Sequence, residues 1–250
     1  MESHQILINE SVISYATAGR GDRSLIFLHG WRSNKEAWLP IAHYMKNAGY
    51  RLIFIDLPGF GASETPKRPY TLHDYTETVR IFAEKLDIKV HAVIGHSAGA
   101  RIAAKLAAES PDFINKLVLV ASGGARPAFV GLKACLAKIA KPFFAMGFMA
   151  PLRKKLYAAM GAEDYLATPD LQKTFVNIIN ENLDPLLPRI KTDTLIVWGD
   201  KDVTAPLTYG KHIAKLIPSA RLEIIENAGH YCFSEKPEKF ATLLAKHIAA

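Results

Sequence analysis

Cysteine is nearly absent from this 250-residue chain: it has only Cys135 and Cys232. Two thiols cannot form the disulfide framework of a small secreted domain. No Cys/His spacing in the sequence matches a zinc site. Long apolar runs are missing as well. The longest uncharged stretch in the middle of the chain, Pro142 to Leu152, is too short to span a bilayer and contains Pro and Gly. The opening residues, MESHQILINE, have no basic n-region and no apolar core, so no signal peptide is expected. There is no internal repeat and no low-complexity tract. These absences predict a soluble, cytoplasmic protein without stable membrane insertion.

Acidic residues are absent from one long segment. Between Gly123 and Gly161 the chain carries seven basic residues, Arg126, Lys133, Lys138, Lys141, Arg153, Lys154 and Lys155, and no acidic one. The rest has 24 basic and 24 acidic residues, so this segment holds the whole net charge of +7. No nucleic-acid-binding motif accompanies the charge, which argues against a nucleic-acid partner. The segment reads as a solvated basic face. Because it also contains Phe143, Phe144, Met146, Phe148 and Met149, it fits a surface that meets acyl-chain substrates by weak association with an anionic interface.

What is present is an α/β rhythm. Hydrophobic residues make up 49% of the chain, enough to bury a parallel sheet on both faces. Residues 5–10 and 12–17 read as an antiparallel edge pair. Strands follow at 24–28, 51–55, 90–94 and 116–121, and helices at 34–48 and 71–86 and after residue 97. Thr71, with Asp74 three residues on, reads as a helix cap. Alternation stops after Ser122, and residues 123–190 read as helices broken by Pro142, Pro151, Gly161 and Pro169. Strands return at 194–198 and 221–225, with helices at 207–217 and 237–249. The expected architecture is an eight-stranded, mostly parallel sheet with helices on both faces and a helical cap inserted after the sixth strand. The core then comprises residues 1–122 and 191–250, and the cap residues 123–190.

The chemistry concentrates at strand ends. Gly95-His96-Ser97-Ala98-Gly99 stands between an apolar strand and an alanine-rich helix. A serine at the tip of such a turn takes a strained conformation and projects its hydroxyl. Glycines two residues to either side let strand and helix approach closely. A serine needs a base to take its proton, and the base needs an acid to orient it. The last strand leads into Asn227-Ala228-Gly229-His230, which makes His230 the base. The strand before it leads into Gly199-Asp200-Lys201-Asp202. Both acids are candidates. Asp202, further into the loop, is the better placed to reach His230, and Asp200 better suits shaping its own turn. The tetrahedral oxyanion needs two donors, expected from the backbone N–H groups of Ala98 and Trp31. The Trp31 side chain, with Phe144 and Phe148 from the cap, is a candidate for the substrate pocket. No cofactor and no metal ion is needed for such chemistry.

These motifs resemble those of the α/β-hydrolase superfamily. His29-Gly30-Trp31 is similar to its oxyanion segment, Asp56-Leu57-Pro58-Gly59-Phe60-Gly61-Ala62-Ser63 to its D-x-P-G-x-G-x-S loop, Gly199 to Asp202 to its acid loop, and Gly229-His230 to its base loop. The resemblance covers the chain outside 123–190 and supports Asp202 as the acid. It implies a serine hydrolase, carboxylesterase-like, acting on a small-molecule ester. The same triad also serves other acyl or carbon–carbon bond hydrolases, and the fold also serves ligand receptors with little turnover. Ser97 departs from the Asp of epoxide hydrolases and haloalkane dehalogenases. His96 departs from the Asn usual in carbon–carbon bond hydrolases and the Phe usual in perhydrolases.

Other residues read as structural. His29 is expected to brace the oxyanion loop, His96 to pack pointing away from Ser97, Arg101 to form a salt bridge, and Cys232 to be a buried thiol. Arg32, beside the oxyanion loop, is a weaker candidate for substrate contact. His4, His43, His73, His91, His212 and His247 have no partner in the motif set and read as surface or core histidines.

Overall fold

The computed structural model describes residues 1–122 and 167–249. Strands β1 (Glu2–Ile8) and β2 (Ser11–Ala18) form the antiparallel edge pair. The hairpin turns earlier than the sequence suggests. Asn9 and Glu10 both take positive φ, 45° and 63°, and make the whole loop between Ile8 and its partner Ser11. A two-residue turn with both φ values positive matches the twist of the flanking strands.

Six further strands follow: β3 (Ser24–Leu28), β4 (Arg51–Ile55), β5 (Val90–His96), β6 (Lys116–Val120), β7 (Asp193–Gly199) and β8 (Ala220–Ile225). They assemble in the order β1-β2-β4-β3-β5-β6-β7-β8. β2 runs antiparallel to β4, and every pairing from β4 to β8 is parallel. The sheet is therefore the eight-stranded, mostly parallel one expected.

Helices cover both faces. Among the described residues they are α1 (Leu39–Met45), α2 (Leu72–Lys85), α3 (Ala98–Glu109), α4 (Gln172–Asn180), α5 (Leu207–Leu216), α6 (Cys232–Glu235) and α7 (Pro237–Ala249). The strands are apolar on both sides, and alternate residues serve different helices. Leu25, Phe27, Phe54 and Ile94 pack with Ile41, Met45, Phe233, Phe240 and Leu244. Ile26, Leu28, Ile53 and Val93 pack with Val79, Phe82, Ile102, Leu106 and Ile213.

Local sequence sets the helix ends. Thr71 Oγ accepts from Asp74 N while Asp74 accepts from Thr71 N at 2.7 Å, the reciprocal cap expected for α2. The first helix is shorter than residues 34–48. Asn34 caps a single 3-10 turn, Lys35–Trp38, and α1 then stops at Met45, because the chain tightens toward Gly49 at φ 79°.

The insertion between β6 and β7 is described from residue 167 and is helical there: two 3-10 turns, Pro169–Leu171 and Leu187–Arg189, flank α4. Phe144, Phe148 and the seven basic residues of 123–161 lie outside the described residues. Among the described residues no helix is long and apolar enough to cross a membrane.

One buried ion pair ties the first half of the sheet to its loops. Asp56, fully buried at the end of β4, receives Lys35 Nζ at 2.6 Å and Lys35 N at 2.7 Å. Ala62 N donates to the same carboxylate at 2.9 Å. Lys35 Nζ also reaches Ser14 Oγ at 3.1 Å. Gly61 is required beside it, since a Cβ there would stand 2.2 Å from the Asp56 carboxyl carbon. Burial pushes the Asp56 carboxyl up, but the Ala62 N–H, the Lys35 ammonium and the Lys35 N–H outweigh it and hold the group below its ordinary value of 3.8.

Removing one member leaves the other charge buried. Asp56→Ala is expected to lower unfolding free energy by about 3–5 kcal/mol, and Asp56→Leu/Lys35→Met to recover most of that, read by urea denaturation. Since the folded-state carboxyl is depressed, the pair stabilises above pH 3.8 and its contribution is lost as pH falls below it. The double variant should lack that part of the acid sensitivity.

Candidate active site

Ser97 sits where β5 turns into α3, at φ 51° and ψ −110°. A non-glycine residue in this region costs about 1–3 kcal/mol and persists only when its surroundings enforce it. Here they do. Ser97 N donates to Val120 O of β6 at 2.9 Å, and Ser97 O accepts from Ala100 N and Arg101 N at 3.1 and 3.2 Å. The two glycines of the motif are required by contact. A Cβ on Gly95 would lie 2.3 Å from Gly99 O, and one on Gly99 would lie 2.4 Å from Leu28 O. The ends of β3 and β5 and the start of α3 thus meet backbone to backbone, which leaves the Ser97 side chain at the carboxyl edge of the sheet.

The loops that carry Asp202 and His230 meet in the same way. A Cβ on Gly199 would stand 2.2 Å from Ala228 O, and Lys201 N donates to Ala228 O at 2.9 Å. This contact carries Asp202 to His230: His230 Nδ1 donates to Asp202 Oδ2 at 2.7 Å. The Asp202 side chain is 0% exposed and that of His230 12%. The other carboxylate oxygen, Oδ1, accepts from Thr204 N at 2.9 Å and Ala205 N at 2.8 Å, so the group is fixed at both ends. With the Nδ1 proton committed to Asp202, Nε2 is the nitrogen able to accept one.

Of the two acids, then, Asp202 is the one that meets the histidine. Asp200 does not work on its own turn as anticipated. Its Oδ1 accepts from Ala228 N at 3.3 Å and so braces the base loop across the gap. Glu235, not anticipated at all, closes that loop from the other side by accepting from Gly229 N at 2.8 Å and Tyr231 N at 3.2 Å.

The Gly30–Trp31 loop lies against Ser97. A Cβ on Gly30 would stand 3.3 Å from Ser97 Cβ. The backbone N–H groups of Trp31 and Ala98 have no acceptor among the described residues. His29 braces this loop as expected: its Nδ1–H donates to Gly30 O at 2.7 Å and its Nε2 accepts from Leu57 N at 3.0 Å. Only a neutral imidazole can do both. Burial lowers its pKa to about 4, against smaller upward effects from Gly30 O and Asp56.

The Trp31 indole is buried in an aromatic group that the sequence showed only in part. Phe60, from the loop after β4, meets it edge-on at 4.7 Å, and Phe175 of α4 meets it at 5.1 Å. Phe175 occupies a position of α4 whose role only tertiary packing reveals. Arg32 next to Trp31 is exposed and turns the chain with φ 55°.

The buried guanidinium of Arg101 donates to the carbonyls of Ile178 and Glu181, at the C-terminal end of α4, and Lys105 makes salt bridges with Glu181 at 2.6 Å and Glu109 at 2.9 Å. Both cations on α3 therefore hold the insertion. His96 is buried as expected, yet it is not merely packed: its Nε2–H donates to His230 O at 3.0 Å. Cys232 is fully buried, and burial, with the charges of Asp202 and Glu235, pushes its thiol up to about 12.

A protein from Bacillus subtilis, the AB hydrolase superfamily protein YisY, is 29% identical over 97% of this chain and 98% of its own. A 2-hydroxy-6-oxononadienedioate/2-hydroxy-6-oxononatrienedioate hydrolase from a Pseudomonas species is 27% identical over 93% of this chain and 90% of its own. Among solved structures, a bacterial membrane phospholipase A superposes with a TM-score of 0.80 at 26% identity, covering 99% of this chain and 86% of that one. The sequence model of the alpha/beta hydrolase family matches residues 25–243. The chain belongs to the alpha/beta hydrolase family.

Proposed function

We propose that this hydrolase cleaves carboxylic esters of small or medium acyl chain through an acyl-enzyme on Ser97. The observation that carries the reading is the His230–Asp202 hydrogen bond, which joins two loops at the strand ends where Ser97 turns. Ser97 Oγ attacks the acyl carbon while His230 Nε2 takes its proton. Negative charge collects on the carbonyl oxygen, toward the N–H groups of Trp31 and Ala98. The start of α3 adds its dipole there. His230, now an imidazolium held by Asp202, returns the proton to the leaving alcohol. Water, deprotonated by the same nitrogen, then attacks the acyl carbon, and His230 returns that proton to Ser97 Oγ as the acid leaves.

We further propose that residues 123–190 cap this site. Two contacts of the described limb support it: Phe175 packs on Trp31, and a Cβ on Gly59 would meet Leu171 at 2.8 Å. The Trp31–Phe60–Phe175 group then forms part of the acyl wall. The phospholipase likeness supports ester chemistry. The second reading, hydrolysis of a carbon–carbon bond in a 2-hydroxy-6-oxo-dienedioate, is supported by the Pseudomonas relative and requires no different triad.

Turnover of p-nitrophenyl esters of two to eight carbons, measured beside a 2-hydroxy-6-oxo-dienedioate, separates the two. The ester series is expected to react with the higher kcat/KM, and the reverse order would establish the second reading. Ser97→Ala should lower kcat by about 10⁴–10⁶ on either substrate. Full activity in that variant would end both readings.

The two acids of the β7 loop give a second test. Asp202→Asn is expected to lower kcat by about 10⁴, because an amide can no longer hold the His230 tautomer. Asp200→Asn keeps an oxygen for Ala228 N and should lose less than about tenfold. Steady-state kinetics on one ester checks the ranking, and the opposite order would reassign the acid.

A further inference from the structure

His96 ends β5, immediately before Ser97, and is 1% exposed. Its ring is enclosed by the two loops that flank the nucleophile. On one side lie His230, Tyr231 and Phe233, with ring centroids at 4.8, 4.9 and 5.0 Å. On the other lies Gly30, where a Cβ would come within 2.8 Å of His96 Nδ1. The ring therefore spaces the oxyanion loop from the base loop. Its one described hydrogen bond runs from Nε2 to His230 O at 3.0 Å. A carbonyl oxygen only accepts, so the proton resides on Nε2.

We infer that His96 is a positioning residue, whose Nε2–H fixes the backbone of the base His230 relative to the Ser97 turn. The inference rests on the Ser97–His230–Asp202 reading. Asp202 fixes the His230 ring at Nδ1, which sets its tautomer and its tilt. One tether leaves the ring free to swing about that hydrogen bond. The bond to His230 O supplies a second tether, anchored on the last residue of a central strand and hence on the same rigid element that presents Ser97. The distance between nucleophile and base is then set by two short connections to one strand end. A displacement of about 1 Å in such a pair costs up to about a hundredfold in rate.

The tether also has to survive the charge cycle of His230. The titratable groups facing His96 are His230, Tyr231 and His29. Burial and then the neighbouring His230 push His96 down to about 3, so it remains neutral while His230 is protonated. A neutral His96 keeps the same donor toward the carbonyl throughout and adds no second positive charge beside the imidazolium.

The test uses two variants in the full chain. His96→Phe keeps an aromatic ring and removes the donor. His96→Gln places an amide N–H near the position of Nε2. His96→Phe is expected to lower kcat about tenfold, the loss of one aligned hydrogen bond, with KM changed by less than about twofold. His96→Gln should recover most of that rate. The downfield proton resonance of His230 Nδ1–H should broaden or shift in His96→Phe and return in His96→Gln, a change that a purely space-filling role does not produce.

Wild-type kcat in His96→Phe overturns the inference, and so does a His96→Gln variant as slow as His96→Phe. If neither variant folds, ¹⁵N spectra of the wild-type histidines decide: His96 should be neutral and protonated at Nε2 from pH 5 to pH 9, and an Nδ1-protonated or titrating ring refutes the tether. Ser97→Ala, run in parallel, keeps the two proposals apart. An active Ser97→Ala enzyme removes the triad reading itself, whereas an inactive one beside a fully active His96→Phe removes only the role of His96.

Discussion

The candidate site depends first on the backbone contact around Ser97. Gly95 at the end of β5, Gly99 in the first turn of α3 and Leu28 at the end of β3 approach within distances that leave no space for a side chain. The parallel order β3-β5-β6 brings these strand ends together, and Val120 O of β6 pins the Ser97 amide from the third side. The strained backbone of Ser97 is held by this contact, and the same contact presses the Gly30–Trp31 loop against the serine. A larger residue at either glycine would have to separate strand from helix, and the candidate site would go with it.

A second pattern supports the first. Three loops around the candidate site are each held by a buried polar group whose pKa is lowered. Neutral His29 joins Gly30 to Leu57. Asp56, depressed by its donors, joins Lys35 to Ala62. Neutral His96 joins the Ser97 turn to the His230 loop. Buried polar groups are costly unless satisfied, so each of these fixes one loop geometry rather than several. The result is a rigid rim at the carboxyl ends of β3 to β8, onto which the insertion docks through Arg101, Lys105 and Phe175.

Much of this rim was legible in the sequence, for physical reasons that differ by residue. Gly95 and Gly99 stand at spacings that only a tight strand–turn–helix crossing explains. Asp202 could be preferred over Asp200 from loop reach alone, and the Asp202–His230 contact agrees with the choice. The Thr71–Asp74 cap is local and could be read directly.

What could not be read depended on distant partners or on unusual backbone. Asn9 and Glu10 turn with positive φ but without glycine, so the strand pattern ran through them. Lys35 is buried only because Asp56, 21 residues on, folds back to it. Phe175 meets Trp31 across 144 positions. Arg101 reaches two carbonyls at the end of α4, 77 and 80 positions away, where the helix dipole favours a cation. Ser97 is expected to become acylated during turnover. Quenching the reaction with a p-nitrophenyl ester in acid, digesting the protein and mapping it by mass spectrometry should find the acyl group on the peptide that contains Ser97. Turnover with that peptide unmodified, or with the acyl group on another residue, would contradict the account.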